Sequence, residues 1–83
     1  MTEPWSEITS DQARNDYSNI SKEERRKVLR YLNKLRHGGK GLQGKIKKRQ
    51  DIADVYVLDV GCVRVFFTTH AKSHTIGVLR IMK

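Results

Sequence analysis

The chain changes its hydrophobic period once, at His37-Gly38-Gly39, and that change limits which folds are open to it. Before it, Val28, Leu32 and Leu35, joined by Leu29 and Tyr31, recur at the three- and four-residue spacing of one helix face. Ser21 followed three residues later by Glu24 reads as a capping box, so the helix starts there and the two glycines stop it. After it, VYVLDV (55–60), VRVFFT (63–68) and TIGVLRIM (75–82) are rich in β-branched and aromatic residues at short spacing, which predicts three strands. Gly61-Cys62 makes a tight turn between the first two, and HAKSH (70–74) links the second and third into an antiparallel meander. Two shorter elements precede the long helix: a strand over Trp5–Thr9, and a helix from Asp11 to about Asn19, capped by Ser10, with Ala13 and Tyr17 on one face. The expected fold is α+β, an N-terminal short strand and helical hairpin packed on a small antiparallel sheet, in a single domain spanning 1–83. Neither the long helix nor the sheet can bury its apolar side alone. One sheet face is therefore expected under the helix and the other left open to a ligand.

With 83 residues, the chain can bury one small core. A single cysteine, Cys62, excludes an internal disulfide and a multi-cysteine zinc site, which suits a reducing cytoplasm. The start TEPWSEIT is acidic and polar, and nowhere do about 18 apolar residues run together, so a soluble cytoplasmic protein away from membranes is expected. The net charge of +8 is distributed unevenly, because residues 21–49 hold twelve of the seventeen cations against Glu23 and Glu24. Such a concentration is the electrostatic footprint of a nucleic-acid binder; a basic surface kept for solubility or for an acidic protein partner is the alternative. The candidate phosphate grips are Arg26, Arg30 and Lys34 on the outer flank of the helix, with Lys40, Lys45, Lys47, Lys48 and Arg49 in GKGLQGKIKKRQ (39–50). That stretch is expected to be a loop anchored to the core at Leu42-Gln43-Gly44.

Alternation on the second strand of the meander sets Val63, Val65 and Phe67 on one side and Arg64, Phe66 and Thr68 on the other. A hairpin symmetric about Lys72 would place Arg64 directly across from Arg80. Like charges so placed destabilise a sheet, and a bound phosphate would offset the repulsion. His70 and His74 carry imidazoles, the side chain most often used in acid/base work, and are candidates for it, or are exposed loop histidines; their spacing lies in a loop and predicts no metal site. His37 is expected to cap the long helix, Tyr17 and Tyr56 to belong to the core, and Cys62 to be inert and without a partner.

The ordered set Leu42-Gln43-Gly44, Val55-Tyr56-Val57-Leu58, Gly61, Arg64-Val65-Phe66-Phe67 and Leu79-Arg80-Ile81 resembles the RelE/ParE superfamily of bacterial and archaeal toxins, over nearly the whole chain from about Trp5 to Lys83. The resemblance implies a toxin encoded beside a cognate antitoxin that blocks it. In the RelE branch the activity is cleavage of mRNA in the ribosomal A site, without a metal or other cofactor, by attack of a ribose 2′-hydroxyl on the adjacent phosphate. The ribosome with its mRNA and rRNA would then be the second partner. The ParE branch inhibits DNA gyrase on the same fold, and a non-enzymatic RNA-binding inhibitor of translation is a third possibility. Residue by residue, Arg64 matches the arginine that contacts the scissile phosphate in the nuclease branch, a role suited to a guanidinium. Arg80 and Lys83 fall near the distal cationic position and complete the expected catalytic set. The resemblance places the distal Arg/Tyr pair of the nucleases beyond residue 83. The strand on which those nucleases carry lysines holds Val57 and Asp59 here.

Overall fold

A computed structural model describes residues 4–39, 41–49, 51–52 and 54–83. The elements run β1 (Ser6–Thr9), α1 (Asp11–Ser18), α2 (Lys22–Arg36), β2 (Ile46–Lys48), β3 (Val55–Val60), β4 (Val63–His70) and β5 (Thr75–Met82). They build one five-stranded sheet in the order β1-β5-β4-β3-β2, antiparallel except where β1 joins β5 in parallel. The α+β arrangement expected from the change of period is present. Within the lysine-rich stretch, however, Ile46–Lys48 is an edge strand on β3 rather than loop. Three residues give too short a run for a period to declare itself, and tertiary pairing decides the conformation.

The helices start where their capping side chains dictate. Ser10 Oγ accepts from the Ala13 amide, and Ser21 Oγ accepts from the Glu24 amide while Glu24 Oε1 receives the Ser21 N–H at 2.8 Å. His37 caps the far end of α2 as expected, its ring Nδ1 2.7 Å from the Asn33 carbonyl. Arg36 then ties this end to the start of the chain: Trp5 N–H donates to the Arg36 carbonyl and Arg36 Nε donates to the Trp5 carbonyl.

Val28 and Leu32 of α2 and Ala13 of α1 pack with Leu42, Leu58, Val63, Val65, Phe67, Val78 and Ile81. Alternation on β4 is therefore as read from the sequence, with Val63, Val65 and Phe67 inside. Tyr56 stacks on Phe67 against this core, and Tyr17 packs at its edge. The β3–β4 turn takes Gly61 at φ +64°, a conformation that disfavours side chains, and a Cβ there would stand 3.1 Å from the Lys27 ammonium.

The β4–β5 hairpin is not symmetric about Lys72. His70 pairs with Thr75 across a four-residue turn that ends with His74 at φ +54°. A bulge then inserts Leu79, so Phe67 faces Val78 while Phe66 faces Arg80 and Arg64 faces Met82. The expected opposition of Arg64 and Arg80 does not exist. Beyond Thr9, where β1 stops, the edge of β5 is completed by side chains: Ser10 Oγ donates to the Leu79 carbonyl, and the Asp16 carboxylate receives the Ile81 N–H at 3.0 Å.

Candidate functional site: a cationic groove on the open sheet face

The helices cover one face of the sheet, and the residues of the other face line a groove of about 310 Å³ formed by Lys47, Arg49, Val57, Asp59, Arg64 and Phe66. Ladder register explains the set. Lys47 lies opposite Val57 and Val57 opposite Phe66, which makes one row; Asp59 lies opposite Arg64, which makes the next. Two further backbone bonds hold β2 against β3, from Asp59 N–H to the Lys45 carbonyl and from Arg49 N–H to the Val55 carbonyl, both at 2.8 Å. Arg49 is thereby drawn over the same face, its guanidinium carbon 5.6 Å from the centroid of the Phe66 ring.

Three cations thus share a groove with one carboxylate. Arg64 is 69 % exposed in its side chain, and its Nε stands 3.9 Å from Asp59 Oδ1, at the outer limit of an ion pair. Arg49 is held by Asp51, to which Nε and Nη2 both donate, at 2.9 and 2.5 Å. That pairing lowers the Asp51 pKa and raises that of Arg49. A groove with this excess of exposed guanidinium and ammonium groups can take a phosphate diester. Arg64 is the group best placed to meet its oxygens with a free planar fork.

The other predicted site residues lie elsewhere. Arg80 does not join Arg64: its Nε and Nη2 donate to the Asp16 carboxylate at 2.8 and 3.3 Å. The Arg80 hydrogen bond is the main cause of a lowered Asp16 pKa, with the Ile81 N–H adding to it against the cost of desolvation. Lys83 Nζ is 3.3 Å from Glu24 Oε2, so the last residue of the chain is tied to the first turn of α2. Glu24 receives the Ser21 N–H, the Cys62 thiol at 3.2 Å and Lys83, and with the Ser21 amide as largest cause its pKa falls to about 2. Cys62, expected without a partner, donates here.

Of the seven expected phosphate grips among the described residues, only Lys47 and Arg49 line the groove. Arg26, Arg30 and Lys34 are exposed on α2, which packs on the opposite face. Lys34 and Lys45 bracket the Tyr31 ring at 5.5 and 5.8 Å. Lys48 is exposed opposite Tyr56 on β2, and Lys40 lies outside the described residues. The histidines stay away from Arg64: six residues along β4 put His70 ~20 Å from it. His70 Nε2 meets Thr68 Oγ1 at 3.3 Å, and His74 stacks on Trp5 with centroids 4.2 Å apart. Sequence reasoning missed Phe66 and Asp59 as groove residues. Alternation had placed Phe66 outside, but the lining depends on β2 pairing with β3. Among the described residues no group of three or more His, Cys, Asp or Glu side chains could hold a metal, and no helix is long and apolar enough to cross a membrane.

No protein-family model and no curated protein sequence matches the chain. Solved structures match its fold closely. It superposes on the archaeal RelE–RelB complex of Pyrococcus horikoshii with a TM-score of 0.80 at 17 % identity, covering 95 % of this chain and 93 % of that one. It superposes on the Escherichia coli RelBE toxin–antitoxin complex with a TM-score of 0.78 at 11 % identity, covering 95 % of each chain. For the RelB–RelE complex of Methanococcus jannaschii the TM-score is 0.75 at 16 % identity, with 90 % of this chain and 87 % of that one covered. The fold is that of RelE.

Proposed function

On this RelE fold, we propose that the chain is the toxin of a toxin–antitoxin system that stops translation by cutting mRNA in the ribosomal A site. The observation that carries the reading is the groove itself, where Lys47, Arg49 and Arg64 stand against Asp59 on the face the helices leave uncovered. In the reaction the 2′-oxygen bonds to the adjacent phosphorus, the 5′-oxygen leaves, and the products are a 2′,3′-cyclic phosphate and a 5′-hydroxyl. Arg64 donates to the phosphate oxygens and stabilises the charge that grows on them. Asp59, the carboxylate of the groove, accepts the 2′-hydroxyl proton, and the leaving 5′-oxygen takes up a proton from water to become the 5′-hydroxyl. Helix-side cations Arg26, Arg30 and Lys34, with Lys45 and Lys48 at the sheet edge, bind rRNA phosphates around the groove. Its partners are the ribosome with its RNA and an antitoxin, since the P. horikoshii and M. jannaschii relatives of the fold are complexes with RelB.

One observation favours a second reading, an inhibitor that grips RNA without cutting: Val57 and Asp59 occupy the strand that carries lysines in the nuclease branch, and Arg80 and Lys83 are engaged by Asp16 and Glu24. Expression in bacteria followed by primer extension on a reporter mRNA separates the two. Cuts at codon positions near the start codon support the nuclease; arrested translation with intact message replaces it with the non-cutting inhibitor. Arg64→Ala is expected to abolish the cuts with the fold preserved, and undiminished cutting would remove Arg64 from the site.

A further inference from the structure

We propose that the face of Phe66 is a seat for one unpaired nucleobase, with Val57 beside it, Lys47 and Arg64 taking the flanking phosphates, and Arg49 released from Asp51 as the base enters. The inference rests on the RNA reading above and adds the substrate element the groove recognises. Phe66 is not needed by the core, which takes Phe67 at 2 % exposure from the other side of the strand. Its ring is only partly covered and lines the groove in the same row as Lys47 and Val57. An aromatic held on an open face among cations is the usual platform for single-stranded nucleic acid, because each base has a π-face and each nucleotide a phosphate.

Arg49 does not seal this platform. At 5.6 Å its guanidinium stands near the outer limit of about 6 Å for a cation over a ring, and two of its nitrogens are turned to Asp51. Asp51 is 62 % exposed, so the pair is screened by water and exchanges readily. A nucleotide phosphate offers Arg49 the same fork geometry, while the base competes for the ring. With about 310 Å³, the groove is at the small end of ligand sites, so it takes one base rather than a stack. A base inside a duplex has no free face to offer. An acidic peptide would use the three cations but leave the Phe66 ring unexplained.

The test uses fluorescence anisotropy of the purified chain with a labelled 2′-O-methyl oligoadenylate of about eight nucleotides, which binds as RNA does but cannot be cut. Phe66→Leu is expected to weaken binding roughly tenfold, the loss of one stacked base, while Phe66→Tyr stays close to wild type. Asp51→Asn is expected to tighten binding a few-fold more than Asp54→Asn, which adds the same charge without freeing Arg49. A labelled polyglutamate peptide serves as the second probe and should not distinguish Phe66→Leu from wild type. Equal RNA affinity of Phe66→Leu and wild type overturns the seat and leaves the RNA reading standing. Equal weakening of both probes by Phe66→Leu also overturns it, in favour of a peptide groove. Failure of the wild type to bind the oligonucleotide at low salt overturns the seat and the RNA reading together.

Discussion

Arg64 and Arg80 carry the same side chain into opposite electrostatic situations. Arg64 is exposed beside a single distant carboxylate, whereas Arg80 is bonded twice to a carboxylate that also finishes the edge of β5. Arg80→Gln should therefore act on stability: it leaves Asp16 partly buried with only the Ile81 amide, and the melting temperature is expected to fall by several degrees in a thermal scan. Glu24 makes a pH prediction. Its folded pKa of about 2 lies below its ordinary 4.5, so the stabilisation it gives is complete above pH 4.5 and is lost as pH falls toward 2. Glu24→Gln should flatten the stability curve over that window in denaturant titrations at successive pH values. The capping half of the Glu24 site was legible beforehand, but the long-range contacts of Asp16 and Glu24 were not. Asp16 and Arg80 are 64 residues apart, and the meeting of Cys62 and Lys83 at Glu24 exists only once α2, the β3–β4 turn and the end of β5 are folded together.

The elements were more readable than the contacts between them, for a physical reason. A capping box and a sustained 3.6 period are local properties, so both helices and their first residues follow from a few neighbouring side chains. The three long strands followed from their composition, and the burial of Val63, Val65 and Phe67 from alternation. β2 is local in neither sense. It has three residues, two of them lysines, and is a strand because β3 offers an unpaired edge. The hidden β2 also concealed part of the site, since Lys47 reaches the groove only through that pairing. Leu58, fully buried in β3 between Ile46 and Val65 in the ladder, is the element-level test: Leu58→Ala should cost about 2–5 kcal/mol in chemical denaturation. Loss of β2 alone would instead leave the cooperative transition in place.

At the scale of the molecule, the positive charge falls on two surfaces rather than one. Lys47, Arg49 and Arg64 line the open face, and Arg26, Arg30 and Lys34 are carried by α2 on the other side. A short single strand confined to the groove meets three cations, so its binding constant should fall with a log–log salt slope of about −2, at roughly 0.7 per phosphate contact. A steeper slope measured with long RNA would report wrapping onto the helical side. The bulge at Leu79 bears on how the whole chain tolerates change in length. Val78 and Ile81 both face the core although they stand three positions apart, an odd step, and Leu79 is the residue the ladder skips. Loss of that one codon would make the spacing even, so both halves of the strand should keep their present faces and the protein should still unfold cooperatively. Loss of one codon at Val65 would turn Phe67 outward and should abolish folding. Deletion scanning would find in β5 a spare residue of the kind normally confined to loops.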